Sequence, residues 1–77
     1  MSQRLPATLI PGDGIGPEIV DAALAVLDAL GAPFDWDHQV AGLAGVQAAG
    51  DPLPQAALDS IRRTRLALKG PLETPSG

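Results

Sequence analysis

The strongest constraint on this chain is a change of period across one glycine turn. Leu5, Ala7, Leu9 and Ile10 make a short apolar run. Pro11-Gly12-Asp13-Gly14 breaks it, and Gly16-Pro17-Glu18 opens a segment with helical spacing. The run reads as a buried strand entering a sharp turn. Proline suits the first helical position, and glutamate suits the first turn, where the positive end of the helix dipole lies. The spacing predicts a helix from Pro17 to about Leu30 with Ile19, Ala23, Val26, Leu27 and Leu30 on its buried face. Asp21, Ala25 and Asp28 fall opposite. Gly31 is the expected C-cap, and Pro33 prevents continuation.

The pattern then repeats with weaker signals. Phe34, Trp36, His38 and Val40 alternate with Asp35, Asp37 and Gln39, which predicts a half-exposed strand near a sheet edge. Ala41 to Gly50 is rich in small residues and reads as a short, weak helix or an irregular connection. Asp51-Pro52-Leu53-Pro54 leads into a helix over Pro54 to Thr64 carrying Ala57, Leu58 and Ile61. Asp59 stands four before Arg63, the favourable orientation for a helix ion pair. Leu66-Ala67-Leu68 is a short strand, ended by Lys69-Gly70-Pro71. Strand, helix, strand, helix, strand implies an α/β fold with a parallel sheet and right-handed crossovers. No internal repeat is present.

Composition decides what such a piece can be. Of 77 residues, 45% are apolar, but 13 are alanine. A core in this size range rarely supplies more than about 3–5 kcal/mol. There is no cysteine and a single histidine, which excludes a disulfide-stapled module and a zinc finger. Glycine and proline make 17 of the 77 residues, below the roughly 25–30% that marks low complexity. The net charge of −4 opposes nucleic-acid binding, which needs a basic footprint. No apolar run is long enough to span a bilayer. The first residues, Met1-Ser2-Gln3-Arg4, do not resemble a secretory signal, and with the lack of cysteine this leads us to expect a cytoplasmic protein. The last residues form a glycine-proline loop with nothing to pack on, so we expect residues 1–77 to be the amino-terminal part of a single larger domain.

The turn itself is ambiguous on spacing alone. A strand, a glycine turn and a helix N-terminus can cradle an anion, or can simply turn the chain. It is not the dinucleotide fingerprint, because Pro17 stands where the third glycine belongs. It is not a P-loop, because no Gly-Lys-Ser/Thr follows.

Two segments nonetheless carry a resemblance. Ile10-Pro11-Gly12-Asp13-Gly14-Ile15-Gly16-Pro17-Glu18-Ile19 resembles the amino-terminal signature of the isocitrate and isopropylmalate dehydrogenases. Ala67-Leu68-Lys69-Gly70-Pro71-Leu72-Glu73-Thr74-Pro75 resembles the Lys-Gly-Pro-x-x-Thr-Pro run of the isocitrate branch. Gly50-Asp51-Pro52-Leu53-Pro54 is similar to the family's link into a later helix. The likeness extends over essentially the whole chain. It implies a parallel β-α-β-α-β portion of that family's own fold, which is not the Rossmann type.

The resemblance also implies a function for the parent protein. These β-decarboxylating dehydrogenases oxidise a small-molecule 2-hydroxy acid with NAD or NADP and Mg²⁺ or Mn²⁺, typically as dimers. Leu72, Glu73 and Thr74 match the loop beside the nicotinamide, and Lys69 would stand near the anionic substrate. Threonine is common where Glu73 stands, so Glu73 is a departure; a carboxylate beside a cationic ring is electrostatically favourable. The family's substrate arginines, metal aspartates and proton-transfer tyrosine and lysine lie beyond the matched region. This chain has no tyrosine, and its only lysine belongs to the Lys-Gly-Pro run. We therefore expect no catalytic residue and no metal ligand here, and no activity from residues 1–77 alone. Isopropylmalate, homoisocitrate or tartrate enzymes are the sister readings, and a free-standing anion-binding module is the reading from another class. Outside the motifs, His38 is expected as a partly buried strand residue. Asp35 and Asp37 are expected on a solvated face. Arg62, Arg63 and Arg65 are expected to serve the negative end of a helix dipole.

Overall fold

The computed structural model describes residues 4–73. Its elements are β1 (Leu5–Ile10), α1 (Gly16–Ala29), β2 (Phe34–His38), α2 (Leu43–Ala49), α3 (Gln55–Thr64) and β3 (Ala67–Lys69). The three strands form one parallel sheet in the order β2-β1-β3. The expected α/β fold with a parallel sheet is what forms. β1 pairs with β2 from Leu5↔Phe34 to Leu9↔His38, and with β3 from Thr8↔Ala67 to Ile10↔Lys69. β2 therefore lies at a sheet edge, as its alternation predicts. β1 is central, and Ala7 through Ile10 are buried without a break. That continuous burial is the mark of a strand covered on both faces.

The helices divide between the faces. Thr8 points toward α3, where its hydroxyl meets Ser60 Oγ at 2.7 Å and Thr64 Oγ1 at 2.8 Å. Ala57 and Ser60 are fully buried, so α3 approaches through its smallest residues while Leu58 and Ile61 are only half-buried. On the other face, Leu24 and Leu27 of α1 line a cleft with Phe34 and Trp36. The two aromatic rings pack with centroids 5.0 Å apart.

Several expectations are corrected by this packing. α1 turns Gly16 and Val20 inward, with Ala23, Leu24 and Leu27 half-buried. Ile19, Val26 and Leu30 are 50%, 59% and 76% exposed. The helix is apolar on more than one side, so its spacing supports two faces, and the close approach of Gly16 to the turn selects between them. His38 ends its strand at the edge and is exposed, not partly buried. Val40 lies past the strand. Arg63 pairs with Asp37 at 2.8 Å, not with Asp59, whose carboxylate accepts from Gln55. Asp37 is half-buried and not merely solvated, because it faces the same side of the sheet as Thr8, opposite α3. Only Asp35 is exposed as expected. The last strand begins one residue later than predicted. The weak helix expected within Ala41–Gly50 forms as α2.

Candidate functional site

The strand order creates a switch point. From β1 the chain passes to β2 on one side, and then returns past β1 to β3 on the other. In open α/β sheets, ligands settle outside the carboxyl ends of the strands where the order reverses in this way. Here the carboxyl end of β1 runs into Pro11–Gly16, and the carboxyl end of β3 runs into Gly70–Glu73. The two motifs, far apart in sequence, therefore leave adjacent strands side by side.

Their contact is backbone against backbone. Gly70 N–H donates to Ile10 O at 2.9 Å, and Asp13 N–H donates to Pro71 O at 2.8 Å. A Cβ on Gly12 would strike Pro71 O, and a Cβ on Gly70 would strike Pro11 O. Gly12 also has φ +90, a conformation that other residues adopt only at a cost. The glycines are thus required by proximity to a second strand loop. The Asp13 N–H is committed to that loop as well, so the turn is used structurally at this position.

Asp13 closes the junction. Its side chain is 8% exposed. Oδ2 accepts from Leu43 N–H and from Glu73 N–H, each at 2.8 Å, and Oδ1 accepts from Ala44 N–H at 3.0 Å. Leu43 and Ala44 open α2, whose N-cap is Gly42 and has no side chain to offer. Asp13 thus caps α2 from a distant part of the chain, satisfying two of the N–H groups that a helix start leaves free. Gly42 has φ +69, and a Cβ there would run into the Asp13 carboxylate. The Asp13 carboxyl is held below its ordinary value of 3.8, chiefly by the Glu73 N–H. Partial loss of water pulls the other way, and the Leu43 and Ala44 N–H groups add to the lowering.

The predicted site residues fall at this junction. Leu72 is half-buried and Glu73 exposed, both directly after Pro71. Glu73 leans over the turn: a Cβ on Gly14 would come within 2.8 Å of its Oε1. Lys69 ends β3 and is exposed, with Nζ donating to Gly70 O at 3.1 Å. Thr74 lies outside the described residues. Among the described residues, no three of His, Cys, Asp and Glu gather as metal ligands.

With this geometry in place, comparison with known proteins is direct. The sequence profile of the isocitrate/isopropylmalate dehydrogenase family matches residues 7–77. The chain belongs to the isocitrate/isopropylmalate dehydrogenase family. An NADP isocitrate dehydrogenase of Thermus thermophilus is 54% identical over 72 residues, 91% of this chain and 14% of that protein. The alpha subunit of the mitochondrial NAD isocitrate dehydrogenase of Bos taurus is 44% identical over 70 residues, 88% of this chain and 19% of that protein. The crystal structure of isocitrate dehydrogenase from Methylococcus capsulatus superposes with a TM-score of 0.89 at 60% identity, covering 94% of this chain and 21% of that one. The chain thus spans between a seventh and about a fifth of the lengths of these family members.

Sequence reasoning missed two features of this family member. The first is Asp13, which the motif contains but whose partners at residues 43, 44 and 73 only the fold brings near. The glycine at the start of a helix, with no side chain to cap it, was the available signal. The second is the hydroxyl cluster of Thr8, Ser60 and Thr64. Ser60 donates onward to Asp37 Oδ2, which also accepts from Gln39 and Arg63. These bonds, led by Ser60, hold the Asp37 carboxyl below its ordinary value. No signal in the sequence points to this cluster, because with Asp37 its members are spread over β1, β2 and α3.

Proposed function

We propose that residues 1–77 form the amino-terminal part of one larger domain in a nicotinamide-dependent isocitrate dehydrogenase. The full-length enzyme would convert isocitrate to 2-oxoglutarate by oxidative decarboxylation. The observation that carries this reading is the meeting of the two motifs at the switch point of the sheet. Within the family, the Lys69-Gly70-Pro71 run favours isocitrate over isopropylmalate, homoisocitrate or tartrate.

In this reading Leu72, Glu73 and Thr74 face the nicotinamide, and Lys69 stands near the substrate. When bound, the dinucleotide, NAD or NADP, supplies the hydride acceptor. The chain's own residues bind and orient. Leu72 offers apolar contact to the ring. The Glu73 carboxylate offers a negative charge to its oxidised, cationic form. Lys69 adds a positive charge on the side from which an anionic substrate approaches. The divalent metal, Mg²⁺ or Mn²⁺, and the proton-transfer groups would belong to the remainder of the enzyme, which would act as a dimer. Residues 1–77 alone would be inactive.

The test is turnover by the full-length protein on isocitrate, isopropylmalate, homoisocitrate and tartrate, each with NAD or NADP and Mg²⁺. Isocitrate should be preferred by at least about tenfold in kcat/KM, equivalent to ~1.4 kcal/mol. Preference for another of these acids would move the protein to a sister branch. Activity on none of them would remove the reading.

A further inference from the structure

A buried carboxylate is costly unless its oxygens are satisfied. Asp13 spends its side chain wholly on backbone N–H groups, and among the described residues it forms no ion pair. It touches the 71–73 segment twice, through its own N–H to Pro71 O and through Oδ2 to Glu73 N–H. The same Oδ2 holds Leu43 at the start of α2. The segment bearing Leu72 is therefore gripped on both sides by one residue. Gly42 and Gly14 leave the space this requires, since a Cβ on either would meet Asp13 or Glu73 respectively.

We propose that Asp13 is a positioning residue for dinucleotide binding, fixing Leu72 and Glu73 by fastening the Glu73 backbone to the start of α2. This rests on the reading that residues 72–74 face the nicotinamide. A loop fixed before binding loses less conformational entropy when the ligand arrives. Asp13 makes no contact with reacting atoms; it acts through Glu73 N–H. Substituting Asp13 should therefore weaken dinucleotide binding before it alters any chemical step.

The test uses the full-length enzyme and equilibrium titration with NAD and NADP, alongside Tm and steady-state kinetics. Asp13→Ala should weaken dinucleotide binding about tenfold, the scale of one lost polar contact. Asp13→Asn keeps one acceptor oxygen, enough for Leu43 and Glu73 together, and should recover most of the affinity. Both Glu73→Ala and Glu73→Pro remove the carboxylate, but only the proline variant also removes the N–H, so it should bind more weakly than Glu73→Ala by about the Asp13→Ala loss. The double variant Asp13→Ala with Glu73→Pro should bind no more weakly than Glu73→Pro alone. A lower Tm for Asp13→Ala with wild-type dinucleotide affinity would overturn the proposal, provided Leu72→Ala and Thr74→Ala do weaken binding. If those two variants also bind normally, the assignment of the loop fails and the proposal fails with it. Should Asp13→Ala not fold, the Glu73→Pro and Glu73→Ala pair decides: equal affinity in the two variants overturns the proposal, and a further loss in the proline variant supports it.

Discussion

The two ends of the sheet are built on different principles. At the carboxyl end, loops from β1 and β3 meet through backbone atoms, glycines without room for a Cβ, and one aspartate that serves three N–H groups. At the amino end, side chains do the packing. Arg4, Leu24, Leu27, Phe34 and Trp36 line an open cleft of about 220 Å³, and Arg4 donates to Phe34 O at 3.1 Å. A backbone junction tolerates almost no added volume, whereas a side-chain cleft can repack. The rigid end is the one that carries both family motifs. The contrast teaches that Gly12 and Gly70 are set by contact between two strand loops, and not by any one turn in isolation.

The sharpest way to break this contrast is to add volume at the rigid end. Gly12→Val places a side chain against Pro71 O at a positive φ. Strain and overpacking should together cost about 2–5 kcal/mol, read as a lower midpoint in denaturant unfolding. A loss below about 0.5 kcal/mol would show that the two loops separate freely. The matching change at the open end is Trp36→Ala. Trp36 is half-buried and packs on Phe34, so the expected loss is smaller, about 1–2 kcal/mol. Dinucleotide affinity of the full-length enzyme should be unchanged, because Trp36 sits in the middle of β2, in register with Ala7 and not with the loops of the motif junction. A tenfold change in affinity would show that the two ends are coupled.

The smallest effect is expected from acid. Both Asp13 and Asp37 are lowered from the ordinary value of 3.8. In the range between the unfolded and folded values, the unfolded chain binds more protons, so stability rises with pH there. The contribution is complete above about the ordinary value and is lost as the pH falls through the lowered folded values. Denaturant midpoints measured from pH 6 down to pH 2 should fall mainly below pH 4. Asp13→Asn should flatten that fall more than Asp35→Asn, whose carboxylate is exposed and forms no side-chain bond among the described residues. Equal flattening would deny Asp13 its special place at the junction.

Much of the architecture was legible because it depends on local rules. Breakers at Pro11–Gly14, Gly31–Pro33, Gly50–Pro54 and Gly70–Pro71 bound the elements closely, and the β-α-β order alone implied a parallel sheet. The candidate site was legible as two motifs, whose loops leave the carboxyl ends of the adjacent strands β1 and β3; Lys69 ends β3, and Leu72 and Glu73 follow it. Less legible was which face of α1 is buried. Alanine and branched residues surround that helix, so spacing admits several answers, and only the approach of Gly16 and Val20 to the loops chooses one. His38 failed for a related reason: alternation names a face but not how far the covering helix reaches. The partner of Arg63 failed because a helix neighbour is always available in sequence, while Asp37 becomes available only once β2 and α3 are in place.

The sequence by itself determined the order of elements, the parallel sheet, the family, and the identity of the residues at the motif junction. These follow from short-range properties: period, proline and glycine punctuation, and motif spacing. The tertiary structure alone decided that Asp13 caps α2 while holding Glu73, that Gly12 and Gly70 are needed for contact with each other's loops, and that Thr8, Ser60, Thr64 and Asp37 share one hydrogen-bonded cluster. Each of these joins residues distant in the chain. Such contacts exist only after the loop-closure entropy of the intervening segments has been overcome by burial of the strands between them.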